Sequence, residues 1–194
     1  MSVFTITFCA IILAIYVIDT FILIPKTEVI SLKERFTVGH NKGYINKALR
    51  LSEKKIKEGQ LWRLVSSSLL HVGSFHIISN LVATLIVGYA VESQLGAVKT
   101  TVCFVGSVLV SGLFMSLVYR LEEGEGASTG IYGLIAVFII LSVKYGTVMF
   151  SGLSLFSLII LAVYTIGGMF MGKATACEHL SGFVGGLLIG LIIV

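Results

Sequence analysis

The sequence predicts an all-α membrane protein with six transmembrane helices and an interfacial helix in its first loop. Hydrophobic residues make up 56% of the 194 residues, and charged residues make up only 12%. A water-soluble domain of this size carries roughly twice that charged fraction. Since so little polar surface cannot cover a soluble globule, most of the chain is expected to face lipid or other helices within lipid.

Six apolar segments approach the length of about 20 residues that a transmembrane helix needs. They cover approximately 3–24, 69–91, 97–119, 127–143, 147–171 and 176–194. This pattern predicts one membrane domain over residues 1–194, with a first loop over about 25–68. The first segment is long enough to span and lacks a basic leader, which argues against a cleaved signal peptide. The three scattered cysteines have no CxxC spacing and are expected to be free thiols.

The first loop holds ten of the fourteen basic residues and predicts an amphipathic helix over 44–57. One side of that helix carries Ile45, Ala48, Leu49 and Ile56, and the other carries Asn46, Lys47, Arg50, Glu53, Lys54 and Lys57. Such a helix suits the membrane interface. Asn41 is expected to cap its start and Gly59 its end. Its basic face either binds anionic lipid or is simply solvated.

Polar residues inside apolar segments are costly and therefore mark candidate functional sites. Three groups lie near the starts of the second, fourth and sixth segments: His71, His76 and Asn80, then Ser128 and Tyr132, then His179. In a six-span protein these three segments enter the membrane from the same side. We therefore expect the polar groups to converge on one pocket beneath a single membrane face.

Helical geometry decides which of these residues share a face. A step of four residues keeps His76 with Asn80, and Ser128 with Tyr132. Gly182 and Gly186 lie on nearly the same stripe as His179. Small residues let membrane helices approach closely, so this stripe can bring the imidazole to Ser128.

These residue types fit acyl transfer. A serine hydroxyl needs a base to become a nucleophile, and histidine is the usual base near neutral pH. The Asn80 amide, the His76 imidazole and the backbone N–H of Ser128 can donate to an oxyanion.

No acid is placed to orient His179. The single aspartate, Asp19, lies at the far end of the first segment, and Glu178 projects about 100° away from His179 on a helix. Glu122, Glu123 and Glu125 fall in the third loop, which is expected to be exposed. The sequence therefore predicts a Ser-His dyad and not a triad.

Other interpretations of the same residues are weaker. Gly-Ala-Ser-Thr-Gly fits the nucleophile elbow of soluble hydrolases, but that motif requires a preceding strand. An isolated serine in a membrane helix usually bonds to its own helix. Zinc binding by His71, His76, His179 and Glu178 lacks the usual spacing, so no metal or cofactor is predicted. A small transporter would show inverted repeats, and none is visible.

The order of the motifs resembles the rhomboid family of intramembrane serine proteases, in its basic six-helix bacterial form. The motifs are Trp62-Arg63, His71, His76-x-x-x-Asn80, Gly126-Ala127-Ser128 and His179-x-x-Gly182-x-x-x-Gly186. The resemblance covers a catalytic core of about 59–194. Thr129 replaces the glycine of the commoner family pattern, which bears on helix contact rather than on chemistry.

The resemblance implies a role for each residue. Ser128 would be the nucleophile and His179 the general base. His76, Asn80 and the Ser128 amide would form the oxyanion hole. Tyr132 would pack on the His179 ring, His71 would hydrogen-bond the neighbouring loop, and Glu92 would stabilise helix packing. Helix five, around 145–171, would be the substrate gate.

The family also implies partners and a location: single-span membrane substrates, surrounding lipid, no nucleic acid, and a bacterial plasma membrane. It places the N-terminus in the cytoplasm and the active site on the outer side. The basic first loop predicts the opposite orientation by the positive-inside rule. We expect the family orientation, because a folded loop embedded at the interface escapes that rule. The main alternative is a non-catalytic rhomboid-like protein that binds transmembrane helices.

Overall fold

The computed structural model describes residues 2–23, 43–145 and 155–194, and of residues 155–158 only the backbone. The helices are α1 (Val3–Val17), α2 (Tyr44–Leu49), α3 (Glu53–Lys57), α4 (Arg63–Ser66), α5 (Ser74–Ala83), α6 (Tyr89–Phe114), α7 (Ser128–Tyr145), α8 (Leu155–Met169) and α9 (Lys173–Ile193). Single π-helical turns extend α1 over Ile18–Ile22, join α5 to α6 over Thr84–Gly88, and extend α6 over Met115–Tyr119. A 3-10 turn, Ser67–Leu69, follows α4. Two short strands, β1 (Leu51–Ser52) and β2 (Glu123–Gly124), pair antiparallel.

Four continuous helical stretches of the described chain are long and apolar enough to cross a membrane. They are Val3–Ile22, Ser74–Tyr119, Ser128–Tyr145 and Lys173–Ile193. The second has 46 residues, roughly 70 Å of helix, against about 30 Å of hydrocarbon. Its backbone leaves helical geometry at Gly96, with φ 75° and ψ 166°, so it forms two spans that meet at this glycine. The protein is therefore an integral membrane protein.

The predicted fifth segment, 147–171, is described only in part, because residues 146–154 lie outside the described residues. Within it, α8 has 15 residues, fewer than the roughly 20 that cross a bilayer. The count of six transmembrane helices stays a prediction.

Helix α7 forms the centre of the bundle, and nearly all of its residues from Ser128 to Ser142 are buried. It packs against α9 at backbone level. A methyl group added at Gly182 would collide with the carbonyl of Thr129, and one added at Gly186 with the carbonyl of Gly133. The predicted close approach along this glycine stripe is confirmed. The backbone of Thr129 itself forms one side of this contact, against Gly182.

Glu92 attaches α1 to the rest of the bundle. Its carboxylate accepts the backbone N–H groups of Phe4 and Thr5 at 2.8 and 3.0 Å, and the Thr5 hydroxyl at 2.8 Å. The first amides of a helix have no intrahelical acceptor, and a negative charge there is favourable. This contact is the helix-packing role expected of Glu92.

The single amphipathic helix predicted over 44–57 is wrong. The chain is extended at Arg50 (ψ 151°), which separates α2 from α3, because Leu51 and Ser52 pair with Gly124 and Glu123 instead. Asn46, predicted on the polar side, is buried, whereas Ala48 is exposed. A tertiary strand pairing has thus overridden the local helical pattern.

The start of α2 and the end of α3 are held by different groups. Asn41 lies outside the described residues, so its capping role stays a prediction. The Asp19 carboxylate accepts the N–H groups of Ile45 and Asn46 at 2.9 and 3.0 Å. Gly59, at φ 92°, follows the last residues of α3 and donates its N–H to the Ile56 carbonyl. The predicted helix end at Gly59 is confirmed.

Replacing Gly186 by alanine is expected to destabilise the protein by about 1–3 kcal/mol, because the added methyl group overpacks the α7–α9 contact. Gly167 on α8 has nothing within 4 Å of the same methyl position. Gly167→Ala is therefore the matched control and should change stability by less than about 1 kcal/mol. Denaturant titration of both variants in mild detergent measures the difference. Equal midpoints would show that this helix contact is not tight.

Candidate functional site

One cavity brings together residues from four helices. It has a volume of about 670 Å³ and lies between α5 and α8, next to the N-terminal turns of α7 and α9. Ser128, His179, His76 and Asn80 all line it. The remaining wall is largely apolar, with Phe75, Val82, Ile160, Val163 and Met171 among its residues.

Ser128 is 9% exposed and is the first residue of α7. Its backbone N–H is therefore one of the helix-start amides that lack an intrahelical acceptor. Gly126, two residues earlier, has φ 137°, which a residue with a side chain rarely adopts. A methyl group there would also lie 2.9 Å from the His76 ring. The glycine thus allows the chain to pass against His76 and turn into the helix at Ser128.

His179 is 5% exposed and packs flat against Tyr132, with ring centroids 4.2 Å apart and an angle of 12° between the planes. The Tyr132 hydroxyl donates to the Thr165 carbonyl of α8 at 2.7 Å. On another side, a methyl group at Gly168 would lie 2.9 Å from Nδ1 of the ring. An aromatic face and a close backbone therefore hold the imidazole.

No carboxylate is hydrogen-bonded to His179 in the part of the chain that the structure describes. Glu178 also lines the cavity, and its Oε1 lies beside Gly124, 2.8 Å from where a methyl group at that glycine would stand. The side chains of Ser128 and His179 are not hydrogen-bonded to each other either. Such bonds often form only when substrate is bound.

Asn80 is 1% exposed, and only the oxygen of its side-chain amide is hydrogen-bonded. Its Oδ1 accepts the hydroxyl of Tyr164 at 2.6 Å. Its Nδ2 has no hydrogen-bond partner among the described residues. Since a buried donor without a partner costs about 1–3 kcal/mol, this group suits a ligand that carries an acceptor.

His71 contacts the loop in front of Ser128. Its Nε2 accepts the backbone N–H of Ala127 at 3.4 Å, and its ring meets that of His76 edge-on at 5.1 Å. Burial, helped by the neighbouring His76, lowers the pKa of His71 to about 3. The ring is therefore neutral at physiological pH, as an acceptor nitrogen requires.

Trp62 and Arg63 lie outside the cavity. Trp62 is 55% exposed. Arg63 is buried and donates to the backbone carbonyls of Lys47 and Arg50 at 3.2 and 2.8 Å. Arg63 thus supports the first loop, and neither residue lines the cavity with Ser128. Gly182 and Gly186 act only through helix packing.

Two residues near the site were missed by the sequence. In the sequence, Tyr164 looks like an ordinary packing aromatic of α8, and no spacing distinguishes it, although its hydroxyl is hydrogen-bonded to Asn80.

The prediction that Glu125 lies in an exposed loop is wrong. Glu122 and Glu123 are exposed, but Glu125 is half-buried, lines the cavity, and accepts the Asn46 side chain at 2.5 Å. The pairing of β1 with β2 turns it inward, and burial raises its pKa.

Sequence comparisons with known proteins match this chain to one family. A family model, the Rhomboid domain, matches residues 58–194. RHOMBOID-like protein 5 of Arabidopsis thaliana is 25% identical over 84% of this chain and 53% of its own length. The putative rhomboid protease YdcA of Bacillus subtilis is 24% identical over 90% of this chain and 81% of its own. Inactive RHOMBOID-like protein 8 of Arabidopsis thaliana is 30% identical over 54% of this chain and 30% of its own.

The chain spans about half the length of the plant relative that was named first. The names of these relatives include both a protease and an inactive protein, so family membership by itself does not settle activity. The matched region covers well over half of the chain and contains every residue that lines the cavity. The chain therefore belongs to the rhomboid family.

Proposed function

We propose that the protein is an intramembrane serine endopeptidase that cleaves transmembrane segments of single-span membrane proteins. One observation carries the proposal: Ser128, His179, His76 and Asn80 line a single cavity that opens between two membrane helices. A nucleophile, a base and oxyanion donors around one space are the minimum for acyl transfer.

The reaction begins with Ser128. Its Oγ attacks the scissile carbonyl while His179 takes the hydroxyl proton, and the carbonyl oxygen becomes an oxyanion. Asn80 Nδ2, the His76 ring and the Ser128 amide are the donors for this oxyanion. His179 then gives its proton to the leaving amine. Water enters and hydrolyses the acyl-enzyme by the same route.

The base works without an acid partner in this scheme. In a triad, a carboxylate holds the histidine in its reactive orientation. Here the Tyr132 ring and the Gly168 backbone restrict the His179 ring instead. Ser128 and His179 therefore act as a dyad.

Substrate would enter sideways, between α5 and α8. A transmembrane helix hides its carbonyls in hydrogen bonds, so the substrate segment has to unwind locally before attack. Segments with glycine or proline near the cleaved bond are therefore favoured. Helix α8 is the gate in this scheme.

A non-catalytic helix-binding protein is the second candidate, and the similarity to an inactive relative favours it. That function would use the same cavity without needing Ser128 or His179. This chain keeps both residues in the cavity together with Asn80 and His76, so we favour the peptidase.

Ser128→Ala and His179→Ala are expected to abolish cleavage of a single-span model substrate in detergent, because each removes one half of the dyad. A fluorophosphonate probe should label Ser128 in the parent and not in either variant. Ser79→Ala is the matched control: this serine lines the same cavity but donates to its own helix, so cleavage should persist. Equal cleavage by the parent and Ser128→Ala would overturn the assignment.

Tyr164→Phe is expected to lower kcat about tenfold, since Asn80 loses the hydroxyl that orients its amide. The loss should be smaller than the roughly hundredfold or greater effect of deleting an oxyanion donor outright. Kinetics on the same substrate check this, with Tyr89→Phe, an exposed tyrosine remote from the cavity, as control. An unchanged kcat would mean that the Asn80 orientation does not depend on Tyr164.

We expect the protein in a bacterial plasma membrane with its N-terminus in the cytoplasm. With six spans, the C-terminus is then also cytoplasmic, and the site opens to the outer side. Paired C-terminal reporter fusions test this, one active only in the cytoplasm and one only outside. Activity of the external reporter alone would contradict it and favour the orientation that the basic first loop predicts.

A further inference from the structure

Asn46 is a buried amide in a helix whose other residues are exposed or partly exposed. It is 1% exposed, whereas Tyr44, Lys47 and Ala48 on the same helix α2 are exposed. Burying an amide is costly unless it is hydrogen-bonded. It also lies outside residues 58–194, the region that matches the family. Its burial therefore needs an explanation in this chain's own contacts.

Asn46 connects two distant parts of the chain. Its backbone N–H donates to Asp19, at the end of α1, at 3.0 Å. Its side-chain Nδ2 donates to Oε2 of Glu125 at 2.5 Å. Glu125 lies three residues before Ser128 and lines the same cavity. Asn46 thus ties the segment before the nucleophile to the end of the first membrane helix.

The segment in front of Ser128 is held mainly by such contacts from outside. Glu123 pairs with Arg50 at 2.5 Å, and Gly124 pairs with Leu51 in the two-stranded ladder. Glu125 is the last residue before Gly126, whose unusual backbone conformation leads into the helix. The first loop also holds the next residue, since the N–H of Gly126 donates to the Ser67 carbonyl at 3.0 Å. Asn46 therefore acts on one of several contacts between the first loop and the segment before Ser128.

A small cavity of about 10 Å³ links Asn46 to His71, which also holds this segment. Asn46 Oδ1 and His71 Nδ1 both belong to side chains that line it, and neither atom has a hydrogen-bond partner in the described parts of the chain. Because Nε2 of His71 accepts from Ala127, its Nδ1 carries the proton and is a donor. A donor and an acceptor around a space of this size suit one water molecule.

We propose that Asn46 is a positioning residue of the active site, which holds Glu125 directly and His71 through a buried water. It thereby fixes the backbone of residues 125–127 that presents Ser128. The inference rests on the proposed function for its catalytic consequence, but the contacts that hold the segment are independent of it.

The test exchanges donor and acceptor across the contact. Asn46→Asp keeps the shape of the side chain but sets a carboxylate against Glu125. Adding Glu125→Gln restores one hydrogen bond, now donated from position 125. Lys47→Gln, an exposed neighbour, lowers the net charge by the same amount as Asn46→Asp and should behave as the parent does.

Three measurements are made on every variant: kcat and KM on a single-span substrate, the rate of fluorophosphonate labelling, and hydrogen exchange of the segment 123–128. Asn46→Asp should lower kcat and the labelling rate at least tenfold with little change in KM, and should speed exchange in that segment. The double variant should recover to within about threefold of the parent. Detergent unfolding should stay close to that of the parent throughout.

Three results would overturn the proposal: an unchanged kcat in Asn46→Asp, a double variant as slow as the single one, or a loss of activity that only follows a loss of global stability. If the parent neither cleaves nor labels, the protease assignment fails by itself. In that case the exchange of the segment 123–128 still decides whether Asn46 holds it.

Discussion

The backbone contact between α7 and α9 is the constraint on which the rest of the site depends. Ser128 starts one of these helices and His179 lies on the other, so the distance between the helix axes sets how closely the two side chains can approach. At Gly182 and Gly186 the backbone of α9 lies directly against the backbone of α7 at Thr129 and Gly133. In lipid, where no hydrophobic force drives helices together, close van der Waals packing of this kind is what holds them. Stability and catalytic geometry therefore rest on the same atoms.

Polar groups around this contact are arranged in two layers. The inner layer faces the cavity and keeps a donor unpaired, as at Asn80 Nδ2. The outer layer is satisfied by the protein itself, as where Arg63 donates to first-loop carbonyls and Asp19 accepts the first amides of α2. Leaving a buried donor unpaired costs free energy. Asn80 Nδ2, which lies at the wall of the large cavity, is therefore suited to donate to an acceptor on a bound ligand.

Helix α8 is hydrogen-bonded to two residues of the site. The Tyr132 hydroxyl donates to the Thr165 carbonyl, and the Tyr164 hydroxyl donates to Asn80. Any movement of α8 that widened the cavity would change the surroundings of His179, which packs on Tyr132, and of Asn80 together. Access to the cavity and the arrangement of these side chains are thus linked by the same two contacts.

By itself, the sequence determined the membrane class, the approximate extents of the long apolar helices, and the group formed by Ser128, His179, His76 and Asn80. Apolar run length, glycine spacing and costly intramembrane polar residues are local signals, and they survive folding because lipid leaves few alternatives. Only the tertiary structure decided that Asn46 and Glu125 face inward, that α2 and α3 are separate helices, and that Tyr164 holds Asn80. The pairing of β1 with β2 and the docking of α2 on Asp19 join residues that are far apart in the chain. The periodicity of apolar residues in the sequence does not predict such contacts, because they depend on where the helices lie in space.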